Sequence, residues 1–160
     1  MYSAVYYDDP YDFDEAAVRP LFYGMWAFNN FMCNSSRLMN TNVTTTNEMV
    51  KIWAAQSATG AMNVLVIHKD MNATENATVT ILPPAGMRLR NEVVVVRLLP
   101  GADGVYSSSG ISLGGLTFDG TGNGVPVGTP VNETVAANAD GGWTVTVQPL
   151  TLVQIALPGA

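Results

Sequence analysis

Cysteine is almost missing from this chain: Cys33 is the only one in 160 residues. A lone thiol cannot close an internal disulfide. With a single histidine, His68, it cannot form a Cys/His metal set either. No metal and no cofactor is therefore expected. Charge is scarce too, at 12% of residues, against roughly 25% in average soluble domains. The seven Lys and Arg are scattered and the net charge is −6. No basic stripe is available to neutralise phosphates, so neither nucleic acid nor an anionic membrane surface is an expected partner. There is no apolar run of about 18 residues, so no membrane-spanning helix is expected. The opening stretch, MYSAVYYDDP, lacks both the basic region and the apolar core of a signal peptide.

Thr, Ser, Asn and Gly fill the space that charge leaves. A surface poor in charge needs another source of solubility, and glycans are one. Five Asn-x-Ser/Thr sequons occur, at Asn34, Asn42, Asn72, Asn76 and Asn132. Random placement in this composition gives about two. All five fall in stretches that read as loops, where glycosylation requires them. A secreted or secretory-pathway protein is expected. Sequons without a signal peptide further suggest a region ahead of Met1.

The chain changes character near residue 40. Residues 17–32 carry its one helical pattern, with Val18, Leu21, Phe22, Met25, Phe28 or Asn29, and Met32 at helical spacing. Pro20 suits the first turn, where its missing N–H costs nothing. Gly24 costs about 1 kcal/mol relative to Ala inside a helix, and suggests close approach to another backbone. Residues 34–47 are polar and linker-like. After them, strands alternate with Gly/Pro turns. The segment 48–56 is expected to pair with 62–68 as a hairpin, with 62–68 central because it is apolar on both faces. Strands are also expected at 77–82 and 92–99, with short β pieces at 105–107, 111–113 and 116–118. A final hairpin is expected between 143–147 and 151–157. Turn signals this frequent indicate a mainly β fold: an antiparallel β-sandwich of about eight strands behind one α-helix.

Several segments resemble glycoside hydrolase family 79, the β-glucuronidase and heparanase-like enzymes. RPLFYGMWAF (19–28) is similar to the family's P-x-Y-Y-G-x-x-x-F helix, and VLVIHKDM (64–71) to its V-L-I-N-K-D-L strand and turn. The segment 93–119 resembles the family's R-L-x-P…G-L-x-S-x-x-x-x-L-N-G stretch, and 147–158 its final strand pair. The resemblance implies a catalytic (β/α)₈ barrel followed by a β-sandwich. Residues 1–33 correspond to the end of the barrel, 34–42 to a linker and 43–160 to the sandwich. The partner implied is the barrel of the parent chain. The family's sandwich also takes strand material from the segment preceding the barrel.

Retaining glycosidases work with two carboxyl groups about 5–5.5 Å apart. The resemblance puts that pair on earlier barrel strands, so no catalytic residue is expected in these 160 residues. The Asn-Glu pairs Asn47-Glu48, Asn91-Glu92 and Asn132-Glu133 precede sandwich strands and read as polar turn residues. The acidic run from Asp8 to Glu15 lacks the ligand spacing and turn glycine of a calcium loop. By the resemblance, Tyr2 corresponds to a barrel-strand Tyr that helps hold a uronate carboxylate, and a phenol can donate there without adding charge. Trp26 and Trp143 read as core residues and His68 as structural. Trp53 is left as a surface that could stack on sugar. Three functions follow. One is a non-catalytic C-terminal sandwich that steadies the barrel of a secreted β-glucuronidase or heparanase-like hydrolase. Another is a free-standing module binding glucuronic-acid-containing glycans. The third is a sandwich interaction domain with no sugar role.

Overall fold

A computed structural model describes residues 4–6, 17–32, 37–86 and 90–158. Tyr2, the acidic run from Asp8 to Glu15, Cys33 and Asn34 lie outside the described residues. The fold is mainly β, with antiparallel sheets and one helix. The elements are β1 (Val5–Tyr6), β2 (Ala17–Val18), α1 (Pro20–Phe31), β3 (Arg37–Met39), β4 (Val50–Gln56), β5 (Met62–His68), β6 (Ala77–Ile81) and β7 (Glu92–Leu99). They continue as β8 (Ser112–Leu113), β9 (Leu116–Thr117), β10 (Val127–Gly128), β11 (Glu133–Ala136), β12 (Trp143–Val147) and β13 (Thr151–Leu157). The extra strands beyond about eight are mostly two-residue ladders. At the turn between the expected β8 and β9, Gly114 and Gly115 take φ of 57° and 77°. Two successive positive φ values are what a two-residue hairpin needs. A side chain at Gly115 would collide with the Thr129 carbonyl.

The large sheet runs β10-β9-β8-β7-β13-β5-β4-β3, with β11 also paired to β7. A second sheet contains β12 and β6. The expected β4–β5 hairpin forms, closed by Gly60 at φ 85° and by the Ser57 N–H bonded to the Ala61 carbonyl. β5 is central, between β4 and β13. Its Val64 and Val66 face β12 and β6, while Leu65 faces the helix. Burial on both faces explains why its sequence shows no polar alternation. The three layers are therefore α1, the large sheet and the β6–β12 sheet.

The expected final hairpin does not form. β12 pairs with β6, and β13 inserts between β5 and β7. Between them the chain crosses from one layer to the other. Leu150 takes φ 60°, its N–H donates to the His68 carbonyl at 2.7 Å, and Thr151 Oγ1 donates to the Gln148 carbonyl. β13 thereby gains a seven-residue register with β5 and a second ladder with β7. Each ladder satisfies backbone groups that burial would otherwise leave orphaned. The expected strand at 105–107 is also absent. Ser107 instead closes a turn, accepting from the Asp103 N–H with its hydroxyl.

Candidate functional site

The helix is where the surface departs most from that of an ordinary monomer. Tyr23, Ala27 and Phe31 are buried against the sheet, with Ala55, Leu65, Leu113 and Leu152 around Ala27 and Phe31. Asn63 Nδ2 donates to the Phe31 carbonyl at 3.1 Å, and Gln154 Nε2 donates to the Ala27 carbonyl. Two sheet amides thus hold the last turns of α1. Near its N-terminal half, Phe118 packs edge-on against Phe22, Tyr23 and Trp26 at centroid distances of 5.0, 5.7 and 5.2 Å.

The opposite side of α1 is apolar and open. Leu21, Met25 and Phe28 are 49%, 57% and 56% exposed. These residues belong to the stripe that helical spacing selects in the sequence. The seated face uses Tyr23, Ala27 and Phe31 instead. Gly24 lies on the open side, one helical turn from Leu21 and from Phe28. A Cβ built on Gly24 meets nothing within 4 Å. The close approach that Gly24 suggests is thus not made by the described residues. Leu38 pairs with Ala55, and Trp53 with Leu65, so both lie on the helix side of the large sheet. Leu38 is 60% and Trp53 41% exposed.

A cleft of about 940 Å³ opens on the other side, between the large sheet and β6. Val50, Ile52, Met62, Val64 and Val79 form its apolar floor. Thr and Asn from residues 40–47 and 72–78 form its walls. Among the described residues Glu75 is its one carboxylate, and no Phe, Tyr or Trp lines it to offer a sugar ring a stacking platform. β6 pairs with β12 on one edge and with no other strand among the described residues. His68 lies at the inner end of the cleft, 1% exposed. Its Nδ1 lies 3.2 Å from the Val147 carbonyl. A carbonyl only accepts, so Nδ1 carries the hydrogen. His68 thus ties β5 to β12 across the core, while Nε2 has no hydrogen-bond partner among the described residues.

Asn42, Asn72 and Asn76 line the cleft, and the other sequence candidates among the described residues do not join them. Asn42, Asn72, Asn76 and Asn132 are exposed and lie outside strands. Tyr2 and Asn34 lie outside the described residues. Asn47 shapes the turn into β4, its side-chain oxygen accepting from the Met49 N–H. The Asn91 carbonyl accepts from the Ala137 N–H and the Trp143 indole. Glu133 is bonded to Arg97 at 2.7 Å. Of the three Glu in these pairs, Glu48 lies in the turn before β4, Glu92 opens β7 and Glu133 opens β11. Trp143 is buried and Trp26 half-buried, as expected of core residues. Among the described residues no three His, Cys, Asp or Glu side chains group together as a metal site. Sequence reasoning missed the open cleft entirely. Its one signal was the concentration of Asn and Thr in two segments 30 residues apart.

No family model and no curated relative matches the chain. Solved structures do share its fold. A 4-O-α-L-rhamnosyl-β-D-glucuronidase from Fusarium oxysporum superposes with a TM-score of 0.62 at 17% identity, over 85% of this chain and 29% of that one. The catalytic domain of a family 30 xylanase C from Talaromyces cellulolyticus gives 0.54 at 14%, over 89% and 25%. An arabinose-bound family 51 α-L-arabinofuranosidase gives 0.60 at 9%, over 100% and 22%. The chain thus has a glycoside-hydrolase-related fold and spans less than a third of each of these chains.

Proposed function

We propose that this chain is the non-catalytic C-terminal region of a secreted, β-glucuronidase or heparanase-like glycoside hydrolase of family 79, and that it steadies that enzyme's catalytic barrel. The observation that carries this reading is the two-sided helix. One face of α1 is seated on the sheet, and the other presents Leu21, Met25 and Phe28 to solvent. Contiguous exposed apolar surface of this kind marks an interface. The barrel fits it, because helices on a (β/α)₈ ring pack inward on strands. Gly24 lets a second backbone come close at the middle of that face. The open edge of β6 is where strand material from ahead of the barrel would add. Chemistry then belongs to the barrel's carboxyl pair, and the sandwich buries apolar surface and fixes the last helix.

The test is the coding sequence immediately upstream of Met1. A barrel carrying two strand-end Glu residues supports the reading, and the absence of any such reading frame removes it. In parallel, the 160-residue chain alone is expected to leave an aryl β-glucuronide intact; turnover would count against a non-catalytic role.

One observation favours a second reading. Trp53 is exposed on a rigid strand and could stack on a sugar ring as part of a free-standing glycan-binding module. This predicts calorimetric heat with a glucuronic-acid polysaccharide that Trp53→Ala abolishes. Absence of heat for the unmodified chain would eliminate it.

A further inference from the structure

The edge of β6 that no strand among the described residues covers is poorly defended by its own sequence. An unpaired strand presents a row of N–H and C=O groups to any other strand. Proteins usually blunt such edges with Lys, Pro, a bulge or an inward charge. β6 reads ATVTI and has none of these within it. Its five-residue register with β12 is unbroken, so it carries no bulge. Pro83 and Pro84 limit only its C-terminal end.

What surrounds the edge is different. Asn42, Asn72 and Asn76 all line the cleft beside β6. They come from two segments, 40–47 and 72–78, yet the fold gathers three of the chain's five sequons around one opening. Each of these asparagines is exposed, as are Thr44, Thr74 and Thr78, which complete the sequons. Asn76 directly precedes β6, and Thr78 lies within it.

We propose that N-glycans on Asn42, Asn72 and Asn76 guard the open edge of β6 against pairing with a second copy of this chain. A hydrated, branched glycan on either rim does sterically what an edge lysine does electrostatically. It excludes a second folded sandwich while leaving room for a single extended segment to enter the cleft. The inference rests on passage through the secretory pathway. It does not depend on the barrel, which the proposed function puts on the outward face of α1, across the large sheet from the cleft.

The experiment compares glycoforms of the 160-residue chain from a secreting eukaryotic host. All carry Leu21→Ser, Met25→Ser and Phe28→Ser, so that the helix face offers no other route to association. Peptide mass mapping is expected to find the three sites occupied, and light scattering a single-chain mass. The Asn42→Gln/Asn72→Gln/Asn76→Gln variant is expected to shift to multiples of the chain mass, while Asn132→Gln does not. If the triple variant fails to fold, enzymatic trimming of the folded glycoprotein makes the same comparison. Thr78→Lys on the triple-variant background is expected to restore the single-chain mass by placing a charge on the edge. Unoccupied sites overturn the proposal at the modification. Occupied sites whose removal leaves the mass unchanged overturn the guarding role. Neither result bears on the barrel.

Discussion

The backbone N–H of Phe118 donates to the Tyr23 hydroxyl at 2.7 Å, linking residues 95 positions apart in sequence. The same hydroxyl lies 3.0 Å from Thr117 Oγ1. Tyr23 is fully buried, so its phenol ties α1 to the β9 segment where water does not compete. Tyr23→Phe keeps the ring and its contact with Phe118 but leaves the Phe118 N–H without its acceptor. A stability loss of about 1–3 kcal/mol is expected, read from the urea midpoint. A midpoint unchanged within error would mean that water replaces the phenol.

Gly24→Ala separates the two environments of the helix. In the 160-residue chain none of the described residues stands within 4 Å of the new Cβ. Helix propensity then acts alone, and Ala is expected to stabilise by up to about 1 kcal/mol. In a protein where a second backbone packs on that face, the same change is expected to destabilise. Thermal melts of the short chain and of a barrel-containing chain read out the opposite signs.

Arg97 joins three strands. Its Nε and Nη2 donate to Glu133 Oε2 on β11, and its Nη1 donates to the Thr146 carbonyl on β12 at 2.7 Å. The ion pair is partly exposed, so Glu133→Gln is expected to cost no more than about 1 kcal/mol. Arg97→Met also removes the bond to β12 and is expected to cost more. Equal losses for the two variants in denaturant titrations would show that the link to Thr146 adds nothing.

Leu150 is the one non-glycine residue at positive φ among the described residues, at 60°. That conformation costs an L-residue roughly 1–2 kcal/mol, a cost glycine avoids. Its side chain is only partly buried. Leu150→Gly is therefore expected to hold or raise the melting temperature, whereas Leu150→Val is expected to lower it. A clear loss with Gly would show that the leucine's packing outweighs its strain.

Local chemistry made the mainly β fold, the helix and the β4–β5 hairpin readable in the sequence. Pro20 at the first helical turn, Gly60 between two apolar runs and the two-sided apolar run of β5 each act through nearest neighbours. The strand partners of β12 and β13 were not readable in this way. Alternation in Trp143–Val147 shows that one face is buried but not against what. The layer crossing at Leu150 depends on a His68 carbonyl 82 positions away. The helix gave a half-answer. Its spacing marked an apolar stripe that is not the seated face: only the sheet, with Asn63 and Gln154 holding two carbonyls, decides that Tyr23, Ala27 and Phe31 are seated and that Leu21, Met25 and Phe28 face outward. The sequons follow the same division. Their number and their loop settings are properties of the sequence. That Asn42, Asn72 and Asn76 share one opening beside an undefended strand is a consequence of antiparallel packing, which brings together segments that the chain holds 30 residues apart.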